Sequence, residues 1–294
     1  MAPTVALTPP SLALRLARGL VSAGVPGAAR LSGLLLPGHP SASRWWEGVV
    51  RRSDGLLFHA DTRRHIERRI ALYGIYEAHI GALIRRLLKP GDCAVDVGAN
   101  IGAHAVALAD AVGPSGAVIA YEPNPQAAAD AERNLALNGF STVTLRRAAL
   151  GAEAGTVQLR IPRADSAEGA NIGLASIAAL DTPHDVVDVP LVVFDDEALP
   201  FERSRIRLVK MDVQGYEPQA LIGMSALLSE VRPHILFEFE PWAVEKAGYS
   251  AAWMVDFLTA RGYRLTDAEH EGRVLTAEIL ASGGSFEVLC SAEA

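Results

Sequence analysis

The chain has 294 residues, a formal net charge of −7 and 50% hydrophobic residues, enough for a full core in one large domain or two small ones, which argues against disorder throughout. The acidic balance gives no electrostatic reason to expect a nucleic-acid binder, and no apolar run reaches the ~18 residues of a membrane-spanning helix. Cys93 and Cys290 are the only cysteines and have no C-x-x-C partner, which argues against zinc and thioredoxin chemistry and fits reduced thiols in a cytoplasmic protein.

Residues 1–44 contain no acid but include Arg15, Arg18, Arg30 and Arg44. Leu12, Leu16 and Leu20 give partial helical spacing until Gly24 and Pro26 interrupt it. Such a segment is compatible with a mitochondrial transit peptide, or with a basic amphipathic helix in weak peripheral contact with a membrane or resting on the main domain. The reading adopted is a helical, flexible extension, loosely docked. Residues 45–90 read as a helical lead-in. Trp45, Trp46, Phe58, Tyr73 and Tyr76 bring aromatics, and Glu77 to Leu88 has Ile80, Leu83, Ile84, Leu87 and Leu88 on one helical face. Lys89-Pro90-Gly91-Asp92 ends that helix.

From residue 91 to 294 apolar strands alternate with helical patterns, which implies parallel β-α units in one Rossmann-like core, so that residues 45–294 form a single domain. The first strand, Cys93 to Val95, runs into the turn Asp96-Val97-Gly98-Ala99-Asn100-Ile101-Gly102 and a helix to Val112. A second strand, Ala117 to Tyr121, ends at Glu122. Its helix has Asn124 as N-cap, Pro125 at the first position and Gly139 just past the end. Thr142 to Arg146 is a third strand. Residues 156–161 and 186–193 read as strands around a polar loop, 162–185, long enough for a lid or a substrate contact. A strand over 205–213, a helix over 218–228, a strand over 235–240 and a helix over 250–261 follow. The last two strands, 263–266 and 286–290, have no helix between them and are expected to pair antiparallel. The expected sheet is mostly parallel.

The glycines of the 96–102 turn let the backbone bend sharply and approach a ligand, and the next helix offers unpaired N–H groups. The turn departs from a dinucleotide fingerprint, because Asp96 ends the strand and Asn100 replaces the middle glycine. A carboxylate there suits a ligand presenting a cation or hydrogen-bond donors rather than a pyrophosphate. S-adenosylmethionine, with its ammonium, sulfonium and ribose, is such a ligand. Glu122, twenty positions after Gly102, suits the ribose hydroxyls; its competing reading is a charge favouring the following helix dipole. Lys210 and Asp212 share one face of a strand buried on both sides, so the lysine needs an acidic partner, with Glu238 and Glu240 as candidates. A structural ion pair and a catalytic role both stay open for Lys210. Asp212, near the strand's carboxyl end, is the candidate catalytic residue, with Glu217 and Glu238 as further candidates for orienting an acceptor. His104 reads as a base or, better, as an ordinary helix residue beside the ligand. The other histidines have no metal-ligand spacing, and neither a nucleophile elbow nor a P-loop occurs.

Three segments, Asp96-Val-Gly-Ala-Asn-Ile-Gly102, Tyr121-Glu-Pro-Asn-Pro125 and Leu208-Val-Lys-Met-Asp-Val-Gln-Gly-Tyr-Glu217, together resemble the FkbM-type methyltransferase family. Phe194-Asp-Asp196 and Pro233-His-Ile-Leu-Phe-Glu238 are similar to that family's intervening and following segments, so the resemblance runs from about Tyr76 to Glu240. It implies a class I S-adenosylmethionine-dependent methyltransferase with a seven-stranded, mostly parallel sheet and an antiparallel last strand, O-methylating a hydroxyl of a sugar or natural-product small molecule. It implies cofactor contacts from Asp96, Gly98, Asn100, Gly102 and Glu122, with Ala149 near the adenine. Gln214 departs from the pattern, standing where the family usually has glutamate. Two rivals are an NAD-dependent oxidoreductase, resting on the glycine turn and Glu122 alone, and a non-catalytic binding or membrane-docking protein on a degenerate methyltransferase fold. A nucleic-acid methyltransferase ranks lower, for want of a basic-aromatic strip.

Overall fold

The computed structural model describes residues 7–23, 25–36, 45–163, 175–177 and 182–292. Most of the 162–185 loop, and Arg44 with the end of the N-terminal extension, lie outside the described residues. The chain opens with two helices, α1 (Leu12–Ser22), whose first turn is capped by the Ser11 hydroxyl accepting from the Leu14 N–H, and α2 (Ala28–Leu35). Next come two strands, β1 (Glu47–Arg51) and β2 (Leu57–Asp61), paired antiparallel around Ser53-Asp54-Gly55, and then helices α3 (His65–Tyr73) and α4 (Ala78–Leu87).

The hairpin corrects the reading of residues 45–90 as helical. Four of the five residues of β2 are buried and its burial does not alternate, so the period-two signal of a half-exposed strand is missing. Phe58 and Ala60 pack with Leu14 and Ala17 of α1, Ile66 and Ile70 of α3, and Val106 and Leu135 from the helices of the main domain. The outer edge of β2 is closed by two asparagine side chains. The His59 N–H donates to Asn134 Oδ1 and the Leu57 N–H to Asn138 Oδ1, both at 2.8 Å, while Asn138 Nδ2 returns a bond to the Leu57 carbonyl. Asn134 Nδ2 donates in turn to the Ile101 carbonyl of the glycine turn, at 2.8 Å. This satisfies backbone groups that an edge strand leaves open and ties the hairpin to the turn.

The remaining elements are β3 (Cys93–Val97), α5 (Ala105–Val112), β4 (Ala117–Tyr121), α6 (Pro125–Leu137), β5 (Val143–Arg146), β6 (Ala149–Leu150), β7 (Gly155–Pro162), β8 (His184–Val192), β9 (Ile206–Met211), α7 (Glu217–Ile222), α8 (Ser225–Glu230), β10 (His234–Phe239), α9 (Pro241–Lys246), α10 (Ala251–Thr259), β11 (Tyr263–Asp267), α11 (Ala277–Ala281) and β12 (Phe286–Ala292). The main sheet has seven strands in the order β11-β12-β10-β9-β3-β4-β5. It is parallel except for β12, which runs antiparallel to both β10 and β11. The strand order reverses at β3, between β4 and β9, and that switch point is where open α/β sheets hold ligands. A smaller sheet, β6-β8-β7, stands beside it.

Three expectations are corrected. A helix, α11, does lie between the last two strands; it is only five residues long, started by the Thr276 hydroxyl and pinned by the fully buried Leu280, too short for periodicity to reveal. The helix expected over 218–228 is two helices, α7 and α8, separated at Gly223, where an added β-carbon would lie 2.1 Å from the Gly151 carbonyl. The strand expected to reach Val213 ends at Met211, so Asp212 stands just beyond it.

Replacing Asn134 by alanine should strand the His59 N–H and the Ile101 carbonyl. The expected loss is ~2–4 kcal/mol, a fall in Tm of roughly 5–12 °C for a chain of this size, read by thermal unfolding. A change within ~0.5 kcal/mol would show that the clasp carries no stability.

Candidate functional site

The turn after β3 is held by its own backbone. Gly98, Asn100 and Gly102 have φ of +80°, +50° and +82°, a region that favours glycine and tolerates asparagine. The Gly98 and Ala99 N–H groups both donate to the Tyr121 carbonyl, at 2.9 and 3.0 Å. A β-carbon on Gly98 would lie 2.0 Å from the Asp212 carbonyl, so only glycine fits where the two strand ends meet. Glu122 sits beneath the turn, accepting from the Asn100 N–H at 2.7 Å and the Asn124 N–H at 2.8 Å. Burial pushes its carboxyl up to about 7, against these two bonds.

Gly98, Asn100, Glu122 and Ala149 line a cleft together with Asp212, Gln214 and Tyr216. Ala175 and Ile177, from the excursion between β7 and β8, line it too. They are held there by two backbone bonds between Ser176 and Arg160, each 2.9 Å, and by Arg160 Nη1 donating to the Ile177 carbonyl at 2.7 Å. Gly102 does not line the cleft; it lets the turn approach α6, where an added β-carbon would be 3.1 Å from the Cα of Ala131. Asp96 lies on the other face of β3, fully buried, with no hydrogen-bond partner for either carboxylate oxygen. It is in register with Lys210. Burial raises Asp96 to about 6, opposed by the lysine.

The acceptor candidates gather around Asp212. Lys210 Nζ is 3.5 Å from Asp212 Oδ2, and Gln214 Nε2 donates to Asp212 Oδ1 at 3.2 Å. The close partner of Lys210 is thus Asp212 on its own side of the sheet, not Glu240, which accepts from Ser285 Oγ. Burial works against the Lys210 charge, but Asp212, Asp96, Glu77 and Glu287 outweigh it and hold the ammonium above its ordinary range. Asp212 also borders two smaller recesses. One is lined by Glu77, Lys210, Asp212, Glu238 and Glu287 among apolar neighbours. The other, a shallow dent, brings Asp212, Glu217, Glu238 and Glu240 together. Burial followed by Asp212 raises Glu238 to about 7, and burial followed by Glu77 raises Glu287 to about 8. Glu217 is buried, accepts from the Val213 N–H at 3.1 Å through Oε1, and leaves Oε2 unpartnered. It braces the turn that carries Asp212.

Glu77 and Glu287 are the residues that sequence reasoning misses. Glu287 faces Glu238 across the antiparallel β10–β12 pair, and Glu77 precedes α4 with φ +43°. Neither carries a local motif; only sheet order brings them together. His104 does not line the cleft. It is buried against Tyr76, with ring centroids 5.9 Å apart, and its Nε2 is 3.3 Å from Glu77 Oε2 without hydrogen-bond geometry. Burial and the nearby cations lower its pKa well below the usual value and keep it neutral. The linings of the cleft and both recesses include no residue of 45–76. Among the described residues no group of histidine, cysteine or acidic side chains is arranged to hold a metal ion.

A family model for the methyltransferase FkbM domain matches residues 96–265, more than half of the chain. The chain belongs to the FkbM methyltransferase family. It is therefore a methyltransferase, and its cofactor is S-adenosylmethionine, which sets aside the oxidoreductase and non-catalytic readings. Several solved structures are similar. A putative rRNA methylase from Clostridium thermocellum is 13% identical, with 73% of this chain and 93% of that one covered and a TM-score of 0.44. Methyltransferase FkbM from Methylobacillus flagellatus is 14% identical over 77% of this chain, with a TM-score of 0.41; the match spans only 52% of that protein. An S-adenosylmethionine-dependent O-methyltransferase from Thermotoga maritima is 14% identical, with 84% and 77% covered and a TM-score of 0.40. Nothing about the acceptor follows from these likenesses. No curated protein matches the chain.

The cleft fits the FkbM-family cofactor. Gly98 leaves no side chain in the way, and Glu122 is already oriented by two backbone donors. The orphaned Asp96 carboxylate adds negative potential under the turn, suited to a cationic ligand.

Burial raises Glu217 to about 8. An acid whose folded pKa exceeds its unfolded one binds more protons when native, so its contribution is complete below the unfolded value and is lost as pH rises through about 8. Wild-type Tm should therefore fall between roughly pH 5 and 8. Glu217→Gln, which keeps an acceptor for the Val213 N–H, should show a shallower fall. Parallel Tm profiles would mean that Glu217 is already ionised in the folded protein.

Proposed function

We propose that the chain transfers a methyl group from S-adenosylmethionine to a hydroxyl oxygen of a small molecule, a sugar or glycosylated natural product, with Asp212 as the residue that orients that hydroxyl and takes its proton. The observation that carries this reading is that Asp212 borders the cofactor cleft and both adjoining recesses at once. Bound S-adenosylmethionine supplies an electrophilic methyl on a sulfonium. Glu122 would accept from the ribose hydroxyls, and Ala149 and Leu150 would face the adenine side of the cleft. Lys210 and Gln214, both directed at Asp212, keep its carboxylate in one orientation, and each of its oxygens retains a lone pair for an acceptor proton. Glu217 holds the Val213 N–H and so positions Asp212, while Glu238 offers a second carboxylate at the recess. The Ala175–Ile177 segment covers one side of the cleft and helps to exclude water.

The recess also supports a small acceptor over nucleic acid. Four carboxyl groups, Glu77, Asp212, Glu238 and Glu287, surround one lysine, a lining that disfavours a phosphodiester backbone. A hydroxyl-rich molecule finds acceptors there. Residues 45–294 are taken as the methyltransferase domain and 1–44 as its extension. A cytoplasmic location agrees with Cys93 and Cys290, which are buried and unpaired, and among the described residues no helix is long and apolar enough to cross a membrane.

Labelled S-adenosylmethionine offered with a panel of sugars and glycosides should label a hydroxyl oxygen. Asp212→Asn should cut turnover by at least ~10²-fold while keeping the thermal shift given by S-adenosylhomocysteine, about 5–10 °C at a hundredfold its Kd. Glu122→Ala should lose most of that shift. Full turnover by Asp212→Asn would remove the residue from the mechanism, and labelling only of nitrogen or of RNA would overturn the acceptor class.

A further inference from the structure

The N-terminal extension is oriented in a way the transfer reaction does not require. Helix α1 packs one face inward, with Leu14 and Ala17 fully buried, and Arg18 donates through Nε to the Ala71 carbonyl of α3. The opposite face of a docked surface helix ordinarily carries charged and polar groups. Here it carries Leu12 and Leu16, 64% and 52% exposed, with Arg15 between them. Helix α2 repeats the arrangement, with Leu31 and Leu34 at 41% and 66% exposure beside the exposed Arg30. Of the ten exposed large hydrophobic side chains among the described residues, six lie between Leu7 and Trp45, so the exposure is concentrated in one unit rather than scattered.

Charge identifies what that unit fits. Of 27 basic and 34 acidic residues, four arginines and no acid fall in residues 1–44, which makes the segment +4 and the rest of the chain −11. We propose that the leucine-arginine face of α1 and α2 docks this enzyme on an anionic lipid bilayer. Leucines enter the acyl boundary while arginines meet the headgroups. The acidic body is repelled by the same surface, so the molecule can settle only with its N-terminal unit toward the lipid. Trp45, 45% exposed and stacked under the Arg63 guanidinium at 3.8 Å, adds an amphipathic ring of the kind that favours a membrane interface. A symmetric pairing of two copies through this face would set one arginine-bearing patch against the same patch, which disfavours self-association as the occupant.

The test is flotation of the full-length protein with vesicles of phosphatidylglycerol and phosphatidylcholine, and with vesicles of phosphatidylcholine alone. The protein should float with the anionic vesicles only and be released by high salt. Leu12→Ser with Leu16→Ser, and separately Arg15→Gln with Arg30→Gln, should each weaken binding roughly ten- to thirtyfold. Because all four side chains are exposed, Tm and the S-adenosylhomocysteine shift should stay at wild-type values. Failure of the wild type to float, or equal flotation with both vesicle types, overturns the proposal. A concentration-dependent dimer in sedimentation that the leucine substitutions abolish would assign the face to self-association and overturn it as well.

Discussion

The site depends on one backbone crossing. At the carboxyl ends of β3 and β9, Gly98 and the Asp212 carbonyl are so close that any β-carbon would intrude to 2.0 Å. The Asp212 N–H donates to the Val97 carbonyl, and the Gly98 and Ala99 N–H groups reach the Tyr121 carbonyl of β4. Three adjacent strand ends are thereby tied together, and the cofactor turn cannot shift without carrying Asp212 with it. On both sides of the crossing the chain uses left-handed residues, Gly98 and Asn100 in one turn, Gln214 and Gly215 in the other. Non-glycine residues in that region are strained, and they persist only where surrounding contacts fix them. Asn100 is fixed by its own Oδ1 accepting from the Ile101 N–H at 2.8 Å, and Gln214 by the bond from its amide to Asp212.

Around this crossing the protein buries carboxyl groups in number. Asp96, Glu122, Glu217, Glu238 and Glu287 are each raised first by burial, and Lys210 is the cation set among them. In so little water their mutual repulsion is weakly screened. The arrangement favours ligands that bring positive charge or hydroxyl donors. Gln214 belongs to the same balance. Its amide donates to Asp212, where a carboxylate would add one more like charge to a crowded site.

What was legible in the sequence is what is local. Asp96 to Gly102 announces a turn because glycine and asparagine are needed where φ is positive, and Glu122 follows from the fixed length of a helix plus a strand. The mostly parallel sheet was readable from alternating apolar runs, while the count of seven and the antiparallel last strand came with the family resemblance. The hairpin over 47–61 was not, because four of the five residues of β2 are buried and part of that cover comes from helices distant in sequence. Helix α11 is below the length at which periodicity speaks. In the candidate site, the position of Asp212 beside the cleft was legible from its place near a strand end, whereas the bond by which Glu217 braces the Val213 N–H shows only in the structure. Gly102 reads as a cofactor residue but meets α6 instead, since close helix packing and close ligand approach ask for the same residue type.

The recess beside Asp212 has a consequence for synthesis. Its walls come from Glu77, ahead of the first strand of the main sheet, and from Glu287 on β12, 210 positions later (287 minus 77). Strand β12 lies between β10 and β11 rather than at the sheet's margin. A nascent chain on the ribosome can therefore complete the cofactor turn and the β3-β4-β5 half early, through contacts close in sequence. The recess has no closed wall until β12 inserts. The cleft, whose lining ends at Tyr216, and the recess, which needs Glu287, are thus separated in time as the chain is made, and the second arises only in a sheet that is already whole.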